Sequence, residues 1–283
     1  MDVLMIIAWI AGIFMILIGL YLLTIMPHVG SKQEMRPFFE KLYAHRGLYD
    51  NETDAPENSM KAFEKAVEAG FGMEMDVQLS KDGVPVVFHD YTLERMCHVP
   101  GKVCDYTYEE LQQFPIGKST ETIPKFEDVL NMVNGREPLI VEVKVEKFDL
   151  SVCKKADDLL QKYNGMYCVE SFHPFAVRWF RRKHKDIMRG QLSNGFVKEC
   201  DESKIVCFLL QNLMLNFLGR PDFIAYNHKY DHIFSRRLCR KMFKNTAAAW
   251  TIQSEEELKK ARNGFDMFIF DSFVPDPKEK KVS

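Results

Sequence analysis

Acidic, basic and histidine side chains are grouped in four short motifs along the chain. The motifs are His45-Arg46-Gly47, Glu74-Met75-Asp76, His89-Asp90 and Glu142-Val143-Lys144. Residues two positions apart on a β-strand lie on the same face, so a carboxylate and its i+2 neighbour can point into one site. Together the motifs supply metal ligands, proton carriers and cations that could bind a phosphate group.

Glu74, Asp76 and Glu142 are the candidate metal ligands. All three bind through oxygen, which suits hard cations such as Mg²⁺ or Ca²⁺ and does not suit zinc. His45 and His89 are the candidate acid/base pair. A histidine pKa of about 6.5 lets one imidazole accept a proton while another donates one near neutral pH.

Arg46 and Lys144 are the candidate phosphate ligands, since a guanidinium binds two oxygens at once and an ammonium supplies a point charge. A divalent ion on a phosphodiester oxygen offsets the charge that develops in the transition state. Each motif alone has a structural explanation, such as a surface ion pair or a packed histidine. Their joint occurrence at predicted strand ends indicates metal-assisted phosphodiester hydrolysis.

Strand-like and helix-like segments alternate from residue 41 onward, which is typical of a parallel sheet covered by helices. Strands are predicted at 42–45, 72–79, 139–145, 166–171, 189–192, 223–227, 247–252 and 267–270. Helices are predicted at 59–69, 152–163, 175–185, 235–243 and 255–262. The pattern predicts an α/β protein with a (β/α)8 TIM barrel. An open doubly wound sheet is the alternative, although no Gly-rich phosphate loop follows the first strand.

Residues 84–89 also resemble a strand, but only residues 80–83 separate them from the second strand. Parallel neighbours need a longer crossover, so we predict an antiparallel hairpin. The hairpin would bring His89 opposite Glu74 or Asp76, depending on the length of its loop. Residues 91–123 hold no long periodic element and are predicted to form a small inserted lobe beside the active face.

Residues 3–26 contain no charged side chain and include 14 Leu, Ile, Val or Phe residues. As a helix this stretch would be about 36 Å long, enough to cross a hydrocarbon core of about 30 Å. We therefore predict a transmembrane helix that contacts the lipid bilayer. A cleaved signal peptide is the alternative, but it would have a basic leading segment and a shorter apolar core.

Basic residues follow this helix, at Lys32, Arg36 and Lys41, and none precedes it. This asymmetry predicts a single-pass protein whose catalytic domain faces the cytoplasm. The odd number of cysteines, seven, agrees with a reducing compartment. The pairs Cys97/Cys104 and Cys200/Cys207 lack metal-ligand spacing, and we interpret them as packing residues. The net charge of −2 gives no indication of a nucleic-acid partner.

Residues 205–218 form a second apolar stretch, with 11 apolar residues of 14. This apolar fraction is larger than expected for a helix that buries only one face against a barrel. Two interpretations are open: a helix covered by a neighbouring element or a dimer contact, and a segment that dips into the bilayer.

The chain resembles the glycerophosphodiester phosphodiesterase family. The matching runs are AHRG at 44–47, PENS at 56–59, EMDVQLSKDGVPVVFHD at 74–90, VEVK at 141–144, ESF at 170–172 and AWT at 249–251. The resemblance implies a TIM barrel that uses a divalent cation, Mg²⁺ or Ca²⁺, to hydrolyse glycerophosphodiesters to sn-glycerol 3-phosphate and an alcohol. It also implies the acid/base role of His45 and His89, and the metal-binding role of Glu74, Asp76 and Glu142.

The resemblance further implies that Arg46 and Lys144 hold the phosphate and that Glu57 supports the site. Phe172 and Trp250 would form an apolar wall against the glycerol. We interpret Asn58 as the cap of the first barrel helix.

The chain departs from the family pattern in three places. Residues 48–55 form a long acidic connection, FIFDSF at 268–273 replaces the usual Thr-Asp ending, and WTI at 250–252 is followed by Gln253. The departures bear on the alcohol that leaves rather than on the hydrolytic core.

The predicted organisation is an anchor with the start of a linker at residues 1–30 and a barrel at 38–276, with residues 27–40 predicted to form a short polar linker. The predicted function is a membrane-anchored, metal-dependent phosphodiesterase for small-molecule substrates. Alternatives are a lysophospholipase D-type activity on lysolipids and a non-catalytic, membrane-tethered barrel that binds phosphate esters. The head group, the choice of cation, a cyclic phosphate intermediate and the oligomeric state are left open.

Overall fold

The structure is a computed structural model that describes residues 3–29, 33–198 and 203–276. Strands β1 to β9 are Leu42–Ala44, Gly72–Leu79, Pro85–Val87, Leu139–Val143, Tyr167–Ser171, Arg189–Ser193, Phe223–Asn227, Thr246–Ile252 and Met267–Phe270. Within the described residues, eight of these strands run parallel in the order β1, β2, β4, β5, β6, β7, β8, β9, and β9 pairs back with β1. The sheet is therefore closed, and the predicted TIM barrel is confirmed.

Helices cover the outside of the barrel. The five predicted helices are present, whereas the helix Phe126–Val133 was not predicted from the sequence. Helices α1 to α11 are Val3–Ile25, Met60–Glu68, Glu94–Cys97, Tyr108–Leu111, Phe126–Val133, Ser151–Leu160, Pro174–Lys183, Lys204–Gln211, Asn216–Gly219, Phe234–Leu238 and Glu255–Ala261. Short 3₁₀ turns occupy Gln33–Glu40, Val103–Asp105, Phe196–Lys198 and His228–Tyr230, and a π-helix occupies Cys239–Phe243.

The start of α2 is fixed by Ser59, whose hydroxyl accepts a hydrogen bond from the amide of Ala62 at 3.1 Å. This is the usual way of satisfying an unpaired amide in the first turn of a helix. The helix buries Ala62, Phe63 and Ala66. Ser59 is thus the cap, and the interpretation of Asn58 as the cap is wrong.

The hairpin between β2 and β3 is confirmed, but its register is neither of the two expected. Its loop runs over residues 80–84, closed by a hydrogen bond from the amide of Ser80 to the carbonyl of Val84 at 3.0 Å. Val77 therefore pairs with Val87, and the amide of Phe88 bonds the carbonyl of Asp76 at 2.9 Å. Because the loop has five residues rather than four or two, the residue opposite His89 is one position away from each prediction.

The inserted lobe after the hairpin is confirmed and contains α3 and α4. Its own apolar cluster joins it to β3, from Val86 on the strand to Leu93, Val103 and Ile116 in the lobe. The lobe is therefore packed on the hairpin that carries His89.

Residues 27–40, which the sequence suggests are a polar linker, include a segment that closes the bottom of the barrel. Met35 and Phe38 are buried against inward-facing residues at the N-terminal ends of the strands, such as Ile140 and Met267. The hydroxyl of Tyr43 donates to the carbonyl of Phe38 at 3.0 Å. Alternate residues of a barrel strand face inward, and this end of the barrel is filled by side chains.

Helix α1 is long and apolar enough to cross a membrane, a property of its length and composition alone. The basic residue Lys32 lies outside the described residues. Among the cysteines, Cys97 is buried and free, as expected, whereas Cys104 is exposed. Cys207 is disulfide-bonded, so its interpretation as a packing residue is wrong; Cys200 lies outside the described residues.

Candidate active site

Three buried carboxylates meet at the C-terminal ends of β2 and β4. Glu74 and Asp76 share one face of β2, and Asp76 pairs in register with Glu142 on β4. One oxygen of each carboxylate lies within 4.8 Å of one oxygen of each other. The structure thus brings together the three candidate metal ligands at the end of the barrel where active sites of this fold lie.

The charges in this cluster are not balanced by protein groups. Burial, and then the negative charges of Asp76 and Glu142, raise the pKa of Glu74 well above its ordinary value. Burial would also raise the pKa of Asp76, but Lys144 and other cations outweigh it and hold that pKa well below its ordinary value. Excess negative charge in a buried all-oxygen site is what a divalent cation would relieve.

Lys144 and Arg46 both lie against these carboxylates. The Nζ atom of Lys144 is 3.1 Å from Asp76 Oδ1 and 3.1 Å from Glu142 Oε1. The backbone amide of Arg46 donates to Glu74 Oε2 at 3.1 Å, and its Nε lies 3.6 Å from Asp76 Oδ2. The two candidate phosphate ligands are therefore part of the acidic centre.

His45 and His89 each have a carboxylate partner at Nδ1. His45 bonds Asp271 Oδ2 at 2.9 Å, and His89 bonds Asp90 Oδ1 at 2.6 Å. Such a partner fixes the ring and its tautomer and leaves Nε2 for chemistry. The Nε2 atom of His45 is 4.0 Å from Glu74 Oε2. Burial lowers the pKa of His45, with Asp271 opposing the shift, and a lowered pKa favours the neutral ring.

A cavity of about 280 Å³ lies next to the acidic centre and the two histidines. Its lining includes both histidines, Arg46, Glu74 and Glu142, and also Phe172 and Trp250. The two aromatic rings are 5.6 Å apart between centroids and nearly perpendicular. The two aromatic side chains therefore share one cavity with groups of the acidic centre.

Glu57 connects the inserted lobe to Arg46 at the acidic centre. Its carboxylate accepts from Arg46 Nη1 at 2.7 Å and from both terminal nitrogens of Arg95, at 2.6 and 2.9 Å. Burial opposes the shift, but Arg95 and Arg46 lower the pKa of Glu57 to about 2. Arg95 Nε also bonds Asp90 Oδ2 at 2.5 Å. A continuous chain of charges thus runs from His89 through the lobe to Arg46.

Several residues that complete the site are not evident from the sequence. Asp271 and Asp90 orient the histidines, Arg95 links the lobe to Glu57, and Asn58 donates to Asp76 Oδ2 at 2.9 Å. Asp271 lies in the run FIFDSF, which departs from the family pattern, and Asp90 directly follows His89. These positions are the only indications in the sequence that the two residues belong to the site. Arg95 has none.

Glu170, in the run ESF, adds a fourth buried carboxylate. It pairs in register with Glu142 on the neighbouring strand and lines the cavity. Burial, then Glu142 and Asp76, raise the pKa of Glu170 well above its ordinary value. Its position increases the negative potential that a cation would meet.

The fold and the site define a TIM barrel with an acidic, histidine-flanked centre at the C-terminal ends of its strands. A sequence profile described as the Glycerophosphoryl diester phosphodiesterase family matches residues 45–273. The chain belongs to this family.

Relatives and solved structures agree with this assignment. The chain is 42% identical over 113 residues to a glycerophosphodiester phosphodiesterase of Bacillus altitudinis, and 38% identical over 169 residues to one of Caldanaerobacter subterraneus. These matches cover 38% and 56% of the chain, but only 45% and 66% of the relatives.

Among solved structures, the chain resembles a glycerophosphodiester phosphodiesterase from Thermotoga maritima, with a TM-score of 0.61 and 25% identity over 82% of the chain and 94% of that structure. A phosphodiesterase from Oleispira antarctica, in complex with the product sn-glycerol-3-phosphate, has a TM-score of 0.66 at 24% identity, over 85% of the chain and 95% of that structure. The latter likeness shows the fold alone.

The contact between His45 and Asp271 can be tested by titration. The carboxylate favours the charged imidazole, so Asp271→Asn should lower the pKa of His45 further and move its midpoint to lower pH. We expect this shift in the NMR titration of the His45 imidazole in metal-free protein, assigned with His45→Gln. Asp54→Asn, an exposed carboxylate paired with Lys61, is the matched control. An unchanged or higher midpoint in Asp271→Asn would contradict the contact.

Proposed function

We propose that the protein is a phosphodiesterase that hydrolyses glycerophosphodiesters to sn-glycerol 3-phosphate and an alcohol. The proposal rests mainly on one arrangement: Glu74 and Glu142 of a buried carboxylate triad line a single cavity together with two carboxylate-oriented histidines. Membership of the family supports it, as does the phosphodiesterase of similar fold that holds sn-glycerol-3-phosphate.

Glu74, Asp76 and Glu142 would hold the divalent cation, Mg²⁺ or Ca²⁺. When bound, such an ion offsets the negative charge that develops on the phosphoryl oxygens. Two of the three N–H groups of the Lys144 ammonium donate to Asp76 and Glu142. The third can donate to a phosphate oxygen. Arg46, held by Glu57 at the cavity, binds a second oxygen.

The histidines move the protons. Burial lowers the pKa of His45 and favours its neutral form, in which its Nε2 can take the proton of the attacking hydroxyl, from water or from the 2-hydroxyl of the substrate. His89, oriented by Asp90, donates a proton to the departing alcohol oxygen as the P–O bond breaks. Phe172 and Trp250 pack against the carbon face of the glycerol.

Loss of either histidine should abolish most turnover. His45→Ala and His89→Ala each remove one proton carrier, so we expect kcat to fall by roughly 10²–10⁴ with an unchanged circular dichroism spectrum. The assay is release of sn-glycerol 3-phosphate from glycerophosphocholine. His98→Ala, an exposed histidine of the lobe, should leave the rate unchanged.

The same assay tests the cation. Protein stripped with EDTA should be inactive and should recover with Mg²⁺ or Ca²⁺. Full activity without a cation would refute the metal role, and full activity in either histidine variant would refute the acid/base assignment. Phosphorus NMR of early product separates a cyclic phosphate from direct attack by water.

We also propose that residues 1–30 anchor the barrel of residues 38–276 in a membrane, with the barrel in the cytoplasm. The basic residues after α1 support this orientation, because such residues set the direction of insertion. The disulfide at Cys207 opposes it, since disulfides are rare in the cytosol. We give the flanking charges more weight because they act during insertion itself.

Cys104 reports the orientation directly, because it is exposed and free while Cys97, Cys153 and Cys168 are buried. A membrane-impermeant maleimide should not label Cys104 in intact bacterial spheroplasts and should label it after permeabilisation. Cys104→Ser should abolish that labelling. Labelling of Cys104 in intact spheroplasts would place the barrel on the outer side.

A further inference from the structure

The C-terminal end of α1 packs against the outside of the barrel. The side chain of Ile25 is buried, and its carbonyl accepts hydrogen bonds from Asn216 Nδ2 at 3.0 Å and Cys239 Sγ at 3.3 Å. Asn216 begins α9, and Cys239 begins the π-helix after α10. Helix α1 therefore ends at a defined place on the outside of the barrel.

The segment after α1 continues this attachment. The amide of His28 donates to the carbonyl of Pro221 at 2.9 Å, and its ring bonds Asp222 Oδ1 at 2.8 Å. Asp222 is in turn paired with Arg189 at the start of β6, at 2.8 Å. The barrel surface around α9 is thus held next to the point where α1 would leave a bilayer.

An exposed apolar surface lies at this point. Residues 205–219 contain no charged side chain. Four of their side chains are exposed in the described structure: Ile205 by 72%, Val206 by 38%, Phe208 by 51% and Phe217 by 46%. We call these four residues the α8–α9 face. Exposed apolar groups of this kind mark contact sites, and no described element covers them.

Basic side chains border the α8–α9 face. Arg178 and Arg181 lie on α7, which packs against α9, and Arg220 ends α9. Arg178 and Arg181 are three residues apart on α7 and therefore lie on the same side of that helix. Within the described residues, Arg178, Arg181 and Arg220 form no ion pair with a carboxylate within 4.0 Å. This basic rim is suited to anionic head groups.

We infer that the α8–α9 face and its basic rim lie on a bilayer that contains anionic lipid, beside the entry point of α1. The inference rests on the proposed membrane anchor and extends the proposed function to substrates presented by the membrane, such as lysophospholipids. The surface is linked to the site, because the turn Phe196–Lys198 packs against α8 and its Phe196 contacts Phe172 at 5.7 Å between ring centroids.

A second copy of the chain is a poorer occupant of this surface. In a two-fold symmetric dimer the same patch meets itself, so the rim arginines of the two copies would face each other. Attraction to an anionic leaflet, by contrast, becomes stronger with each Arg near the surface.

Lipid quenching in the full-length protein tests the inference. An environment-sensitive fluorophore is placed at Phe217→Cys or Leu17→Cys in a Cys104→Ser background, and at native Cys104 as the matched control. The proteins are reconstituted in phosphatidylcholine vesicles that contain phosphatidylglycerol and spin-labelled lipids. We expect quenching at position 217 by shallow labels, quenching at position 17 by deep labels, and none at Cys104.

Each outcome is decisive. Quenching at 17 but not at 217 leaves the anchor in place and overturns the docked face. No quenching at 17 overturns the anchor, and the inference with it, while hydrolysis of glycerophosphocholine tests the proposed enzyme separately. An unquenched label at 217, together with cross-linking between copies through the unlabelled thiol of Phe217→Cys, shows a dimer contact and overturns the lipid contact.

The rim is tested by substrate presentation. Arg181→Gln with Arg220→Gln should slow hydrolysis of lysophosphatidylcholine in anionic vesicles about thirtyfold and leave hydrolysis of soluble glycerophosphocholine unchanged. Lys259→Gln with Lys260→Gln, two exposed cations on α11, is the control and should change neither rate. Equal rates of the rim variant and the unmodified protein on anionic vesicles would overturn the basic rim.

Discussion

Charge balance at the carboxyl ends of β2 and β4 is the constraint on which the site depends. An ionised carboxylate removed from water is costly unless it is paired, and here Glu74, Asp76 and Glu142 lie within reach of one another. Lys144 pairs with two of them, while Arg46 is shared with Glu57. The remaining negative charge makes the cavity a place for a cation and, through that cation, for a phosphate ester.

The parts of this arrangement that depend on local sequence were predictable. Alternation of strand and helix patterns predicts the barrel, and the short loop after β2 predicts the hairpin. The spacing of Glu74 with Asp76, and of Glu142 with Lys144, predicts shared faces because side chains alternate along a strand. The register of β2 with β4 then brings the two faces together. The motif positions were therefore sufficient to place the acidic centre.

The parts that depend on contacts between distant residues were not predictable in this way. Arg95 reaches Glu57 from the lobe, and Asp271 reaches His45 across the closure of the barrel. The hairpin register was missed because nothing in the sequence indicates that Val84 belongs to the loop. Packing of Phe38 beneath the barrel was missed because a short 3₁₀ turn has no long hydrophobic period.

The charge-balance account is tested most directly by locating a bound cation. Crystals soaked in Mn²⁺, which shares the oxygen preference of Mg²⁺, should show one anomalous peak at about 2.0–2.6 Å from oxygens of Glu74, Asp76 and Glu142. That peak should vanish in Glu74→Gln. A peak elsewhere, or none in protein that Mn²⁺ still activates, would contradict the account.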